Sequence, residues 1–223
     1  MIRILKDIYM DNTIGPVLGF KGGTAALLFY GLDRFSVDLD FDLLDETKED
    51  YVFERIKKIL ESYGTIKEIH KKRFNLFYLL AYAGKTQSEH NIKVEVNRRN
   101  FDSKYEVANY YGISMLVMTK EDMFAHKIVA MYERIKKTSR DIFDVWYFLQ
   151  NDWPINKQIV ENRTKMSYNA FLNKNIKALE KFNNKDILAG MGELLTEKQK
   201  DWARTKLRTE TIFLLKVWLE NEK

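Results

Sequence analysis

The chain has 223 residues, of which 45% are hydrophobic, so it can form one large domain or two small domains with a buried core. The absence of cysteine excludes a disulfide framework and a thiolate metal site. No apolar run approaches the length of a membrane span, and the N-terminus lacks a signal-peptide pattern. We therefore expect a cytoplasmic protein without a membrane partner. The net charge of +5 suits a polyanionic partner but equally suits ordinary solubility.

The N-terminal half mixes predicted helices and strands. Residues 1–10 and 48–63 are typical of helices, and VLGFKGG (17–23) predicts a turn. A helix follows over 24–31, with Thr24 at its N-cap or in its first turn and Gly31 at its C-cap. SVDLDFDLL (36–44) alternates apolar and acidic residues, which indicates a strand with all its aspartates on one face.

Further strands are predicted in the second quarter of the chain, and helices follow them. Residues 73–82 and 91–99 read as a hairpin joined by 83–90, and 112–118 as another short strand. After Thr119 the apolar spacing becomes helical, and a second helix begins near Ser139. The fold class is therefore α+β, with a mixed β-sheet and flanking helices followed by a helical C-terminal part.

Two aspartates at i and i+2 on a strand point to the same side. Asp38 and Asp40 can thus grip one or two divalent cations, for which carboxylate oxygens suit Mg²⁺ or Mn²⁺. Glu95 has the right parity on another strand to add a third carboxylate. Two metals held in this way activate an attacking hydroxyl and stabilise a leaving pyrophosphate. A solvated edge strand is the plain alternative for the DLDFD alternation.

The residues before this strand suit a phosphate. Gly22 and Gly23 allow close approach of the backbone, and the following helix N-terminus offers free N–H groups. Arg34 and Ser36 are placed to reach triphosphate oxygens. A glycine pair by itself is more often a simple turn. The glycine pair indicates a phosphate site here because the aspartate strand follows it.

Lys127 lies at the edge of the apolar stripe of its predicted helix, which lets it reach outward, although a surface lysine with a buried stem has the same placement. Asp141 falls in the first turn of the next helix, where an acid also favours the helix dipole.

Three separated blocks resemble a known family. GGT, a short helix and RFSVDLDFDL are similar to the nucleotidyltransferase fold of the polymerase-β type, and more narrowly to the AbiEii-type toxin nucleotidyltransferases, which include the MenT toxins. AHKIVAMYERIKKTSRDIFDVWYFL adds that family's helical lysine at Lys127 and its Arg-Asp pair at Arg140 and Asp141, with Asp144 following.

The resemblance implies a role for each matching residue. Asp38 and Asp40 would be metal ligands, with Glu95 as the third carboxylate, nearest the attacking hydroxyl. Lys127 would contact the triphosphate, and Asp141 would orient Lys127. Asp42 would not be a ligand. The residues expected around the nucleotide phosphates are Gly22, Gly23, Thr24, Arg34, Ser36 and Lys127.

The resemblance also implies a function. The chain would transfer a nucleoside monophosphate from an NTP to the 3′ end of tRNA with Mg²⁺ or Mn²⁺, as the toxin of a type IV-like toxin–antitoxin pair active in phage defence. An AbiEi-like antitoxin would be its genetic partner. The expected division is a nucleotidyltransferase core over 1–118 and a helical domain over 119–223 that brings Lys127 and Asp141 to the active-site cleft. A protein or antibiotic acceptor, or an NTP-binding module without transfer activity, remains the alternative.

Overall fold

The computed structural model describes residues 1–83 and 89–221. They form two compact units. The first holds residues 1–31 and 36–119, and the second holds residues 32–35 and 120–223. The second unit thus takes a short segment, which includes Arg34, from between the glycine motif and the aspartate strand.

The first unit is built around a sheet of seven strands in the described part of the chain. Its helices are α1 (Ile2–Met10), α2 (Gly22–Tyr30) and α3 (Glu49–Glu61). Its strands are β1 (Leu18–Lys21), β2 (Leu39–Leu43), β3 (Thr65–Lys71), β4 (Asn75–Ala83), β5 (Glu89–Asn97), β6 (Tyr105–Tyr110) and β7 (Ile113–Met118). Short 3₁₀ turns lie at Gly15–Val17 and Glu46–Lys48.

The sheet is mixed, with strand order β3-β4-β5-β2-β1-β7-β6. The pairs β2–β5 and β1–β7 are parallel, and the remaining neighbours are antiparallel. The central strands carry fully buried apolar residues such as Phe20, Phe41 and Val94. The mixed sheet and its helices confirm the predicted fold class.

Three strands were not predicted from the sequence, and the turn predicted over 17–23 is wrong, since a strand is followed directly by helix α2, which begins at Gly22. Leu18–Lys21 is a central strand, but its four residues include a glycine and are too few to show alternation. Strands β3 and β6 lie at the two edges of the sheet and are largely exposed. Edge strands lack the apolar alternation that marks a half-buried strand.

Other boundaries shift by a few residues. The aspartate strand is shorter than predicted and covers Leu39–Leu43, so Asp38 lies just before it. Helix α2 begins at Gly22, which puts Thr24 in its first turn, and it ends at Gly31 in the left-handed conformation, as predicted. Strands β4 and β5 form the predicted antiparallel pair. Residues 84–88 of their predicted connection lie outside the described residues.

The second unit is helical. Its helices are α4 (Lys120–Arg134), α5 (Arg140–Gln150), α6 (Lys157–Thr164), α7 (Tyr168–Glu180), α8 (Glu197–Trp202) and α9 (Arg208–Asn221). A π-helical turn, Ala203–Leu207, joins the last two. The core includes Phe124, Phe148 and Phe171. Within residues 1–83 and 89–221, no helix has the length and apolar character needed to cross a membrane.

Candidate active site

Two parallel neighbours in the sheet bring three carboxylates together. Strand β2 lies beside β5 with Asp40 directly opposite Glu95. Asp38 precedes Asp40 by two residues, so the backbone directs both side chains to the same side. All three carboxylate groups are partly exposed. The parity argument from the sequence therefore agrees with the observed placement of Glu95.

Lys93, which was not predicted as a site residue, occupies the point between these carboxylates. Lys93 Nζ lies 3.3 Å from Glu95, 3.6 Å from Asp38 and 3.7 Å from Asp40. Burial by itself lowers the pKa of Lys93, but the charges of Asp40, Asp38 and Glu95 outweigh it and raise that pKa above its usual range. The ammonium group is therefore positively charged among three acids.

The three carboxylates are the kind of oxygen ligand that a hard divalent cation takes. Their present positions, however, are not those of a formed metal site. Mg²⁺ takes oxygen ligands at roughly 2.0–2.1 Å, far closer than the carboxylates stand from Lys93 Nζ. No three Asp, Glu, His or Cys residues of the described ranges are arranged to hold a metal as they stand. Asp38, Asp40 and Glu95 can close on a cation only if Lys93 moves away from the point between them.

The first glycine of the GGT motif is fixed by its conformation and by Asp40. Gly22 has φ +80°, and a Cβ built there would lie 2.6 Å from Asp40 Oδ2. A carboxylate of the candidate site thus fills the space that a side chain at position 22 would need, so any side chain there would collide with it.

We expect Gly22→Ala to reduce nucleotidyl transfer at least about tenfold, because the new methyl group displaces the Asp40 carboxylate. Gly112→Ala is the matched control, since Gly112 also has φ +80° but a Cβ there meets nothing within 4 Å. Both variants should lose about 1–2 kcal/mol of stability from the left-handed backbone. Urea denaturation and a transfer assay check this. Equal activity of the two variants would contradict a role for the Gly22–Asp40 contact.

The other residues expected near phosphates in this unit are buried in a hydroxyl cluster. Thr24 donates its hydroxyl to the carbonyl oxygen of Asp38 at 2.5 Å, and its Oγ1 lies 2.9 Å from Ser36 Oγ. Thr24 and Ser36 are nearly inaccessible, and Gly23 is also buried. The Thr24 hydroxyl therefore helps to position the backbone of Asp38 in this structure.

Asp42 has a separate set of partners. Its carboxylate lies 2.5 Å from Lys21 Nζ and accepts hydrogen bonds from Asn97 at 2.6 Å and from the Tyr105 hydroxyl at 2.5 Å. With these contacts Asp42 is almost fully buried. Its hydrogen bonds link strands β1, β2, β5 and β6 and give it a structural role.

The helical unit contains a second charged cluster, centred on Lys127. Its ammonium group lies 2.6 Å from Asp144 Oδ2 and 3.1 Å from Asp141 Oδ1. Arg134 lies 2.8 Å from Asp141 Oδ2 and forms an ion pair with it, but no hydrogen bond. Both carboxylates therefore neutralise the charge of the Lys127 ammonium group. The sequence pointed to Asp141 as the partner, yet Asp144 is closer.

Arg34 completes this cluster. Its Nε and Nη2 atoms donate to the two oxygens of Asp144 at 2.5 and 2.8 Å, and Nη1 donates to the Phe35 carbonyl at 3.0 Å. Burial by itself raises the pKa of Asp144, but the charges of Arg34 and Lys127 outweigh it and lower that pKa to about 2. Arg34, expected near nucleotide phosphates, is buried here as the bidentate partner of Asp144.

The mixed sheet thus places acids from two adjacent strands beside a glycine-led helix. The sequence matches the family "Nucleotidyl transferase AbiEii toxin, Type IV TA system" over residues 3–211. The chain therefore belongs to this family of nucleotidyltransferase toxins. Among curated proteins, none matches it by sequence.

Solved structures show the same fold. The structure of JHP933 from Helicobacter pylori is similar with a TM-score of 0.57 and 20% identity, over 99% of this chain and 91% of that one. The structure of MenT4, the nucleotidyltransferase toxin Rv2826c of Mycobacterium tuberculosis H37Rv, is similar with a TM-score of 0.58 and 19% identity, over 97% and 84%. At these identities the likeness establishes the fold.

Proposed function

We propose that this enzyme transfers a nucleoside monophosphate from an NTP to the 3′ end of tRNA, as the toxin of a type IV-like toxin–antitoxin pair. The observation that carries the proposal is the grouping of Asp40 and Glu95, from two adjacent strands, with Asp38, which directly precedes the first of them. An AbiEi-like antitoxin is the genetic partner that we assign to it, and phage defence or growth arrest is the setting.

We assign Asp38, Asp40 and Glu95 to hold Mg²⁺ or Mn²⁺. When bound, such an ion lowers the pKa of an acceptor hydroxyl and neutralises charge on the phosphates. Glu95 is the carboxylate that we assign to take the proton of that hydroxyl. The hydroxyl oxygen attacks the α-phosphorus of the NTP, a new P–O bond forms, and the bond to the β-phosphate oxygen breaks. Pyrophosphate leaves, and the acceptor gains one nucleotide.

Lys127 is the residue that we assign to stabilise charge on the triphosphate during this step. Its ammonium group contacts two carboxylates, and its side chain is 14% exposed. Asp141 and Asp144 hold the ammonium in place. A preorganised donor of this kind is worth more than a mobile one because it does not reorganise during transfer.

A lysine-rich groove in the helical unit favours a polyanionic acceptor over a cationic antibiotic. The groove has a volume of about 840 Å³ and runs between the end of α4 and α7. Five lysines line it: Lys136, Lys137, Lys174, Lys177 and Lys181. Glu133 and Asp186 are the two acids of the lining, so the lysines dominate its charge. Clustered lysines gain affinity for phosphates by releasing counterions.

The test is to incubate the protein with total tRNA, Mg²⁺ and each α-³²P-labelled NTP separately. We expect label on tRNA from one NTP, and loss of that label in Asp40→Asn. Asp102→Asn is the matched control, because Asp102 is exposed and its φ of 53° is one that asparagine tolerates. Periodate-treated tRNA, which has lost the terminal diol, should take no label. No label from any NTP would overturn the tRNA acceptor.

The groove gives this experiment a second arm. Lys177→Glu with Lys181→Glu should weaken tRNA binding by about tenfold or more and flatten its salt dependence, while NTP binding stays unchanged. Lys6→Glu with Lys58→Glu makes the same charge change on exposed residues of the first unit. Equal tRNA affinity of the two double variants would exclude the groove as the acceptor surface.

A further inference from the structure

Lys93 is the one cation found between the three candidate metal ligands within the described ranges. The preceding distances put its ammonium group within 4 Å of an oxygen from each of Asp38, Asp40 and Glu95. A second contact restrains Glu95, whose Oε1 accepts a hydrogen bond from the Asn75 side chain. Lys93 and Glu95 are two positions apart on β5, so the strand directs both side chains to the same side.

A charged lysine and a divalent cation cannot occupy this position together. Three carboxylates side by side repel one another, and a single positive charge between them relieves part of that repulsion. A metal ion brings two positive charges but needs the oxygens at roughly 2.0–2.1 Å. Closing the carboxylates to that distance excludes the ammonium group from the space that it now fills.

We propose that Lys93 is a built-in counterion of the metal site, which stabilises Asp38, Asp40 and Glu95 before the metal enters and must be displaced when it does. The inference rests on the proposed metal site and deepens it. Free metal alone then binds weakly, because it competes with a tethered ammonium. A nucleoside triphosphate that arrives with its metal offers the displaced Lys93 ammonium group its own anionic phosphate oxygens as new partners. The arrangement thus couples metal entry to nucleotide binding.

The experiment measures Mn²⁺ binding without nucleotide, by isothermal titration and by the electron paramagnetic resonance signal of free Mn²⁺. We expect Lys93→Met to bind Mn²⁺ about tenfold or more tightly than the unsubstituted protein, because a competing charge is removed. Lys71→Met is the matched control, since Lys71 contacts two acids of the same unit, Glu49 and Asp50, away from the three ligands. Its Mn²⁺ affinity should stay unchanged.

Thermal unfolding gives a second readout. Without metal, Lys93→Met should melt at a lower temperature than Lys71→Met, and Mn²⁺ should raise its melting temperature more than that of the unsubstituted protein. If Lys93→Met does not fold without metal, the proposal requires that Mn²⁺ restores its folding. Unchanged or weaker Mn²⁺ binding in Lys93→Met, or no rescue by Mn²⁺, would overturn the counterion role.

Asp40→Asn separates the failure of this inference from failure of the metal site. If Asp40→Asn weakens Mn²⁺ binding but Lys93→Met does not strengthen it, the metal site stands and the counterion role falls. If Asp40→Asn leaves Mn²⁺ binding unchanged, the assignment of the metal to these carboxylates falls with it.

Discussion

Lys127→Met is expected to lower the rate of nucleotidyl transfer by about 10²–10³-fold while the protein stays folded. The reason lies in how the buried charges share partners. Without Lys127, Asp144 keeps the bidentate contact with Arg34, and Asp141 keeps Arg134 at 2.8 Å. No carboxylate loses its last cation, so we expect a stability change of about 1 kcal/mol.

This prediction separates catalysis from folding in one variant. Transfer is measured with labelled NTP and tRNA, and NTP affinity is measured separately by titration. Lys216→Met is the control, because that lysine forms an exposed ion pair with Glu180 at 2.9 Å in the same unit. Transfer by Lys127→Met at the rate of the control would remove Lys127 from the proposed mechanism.

Asp144→Ala is expected to have the largest effect on stability, a loss of about 3–5 kcal/mol. Asp144 is fully buried, and its removal leaves the buried guanidinium of Arg34 without its carboxylate and takes the nearer partner from Lys127. Asp141→Ala should cost less, because Arg134 is about half exposed and Lys127 keeps Asp144. All four tryptophans, at 146, 153, 202 and 218, lie in the helical unit, so their fluorescence during urea denaturation reports its unfolding.

Asp144 also makes the stability of the helical unit depend on pH in the acidic range. The pKa of Asp144 is lowered from 3.8 to about 2 in the folded chain. Its contribution is therefore present above about pH 4 and is lost as the pH falls from there to about 2, an effect of about 2 kcal/mol. The difference in stability between the unsubstituted protein and Asp144→Asn should shrink over this range. A constant difference between pH 5 and pH 2.5 would contradict the ionised Asp144.

How much the sequence predicts depends on how local the signal is. The DLDFD alternation and the parity of Glu95 follow from two-residue periodicity, and they correctly predicted which side chains share a side of the sheet. Strand β1 lies at the centre of the sheet, yet four residues with a glycine do not distinguish a strand from a turn. The edge strands β3 and β6 were missed because their exposed residues show no apolar face.

In the candidate site, too, some features have a local signal in the sequence and others do not. Lys93 shares its parity with Glu95 in NIKVEVN, so the sequence contained a signal for its side, but not for the approach of β2 that puts its ammonium group between three acids. Asp144 follows Asp141 by three residues, which places both on one side of a helix. That Asp144 binds Arg34, 110 positions earlier, has no local signature.

The sequence by itself determined the fold class, the acidic strand and the helical lysine, because each is a short-range pattern of residue types. Tertiary structure decided the partners: Lys93 among the acids, Gly22 against Asp40, and Arg34 with Lys127 on Asp144. The physical reason is that charge pairing and close contact depend on which strands and helices become neighbours. That choice is made by packing of the whole chain and not by the spacing within any one segment.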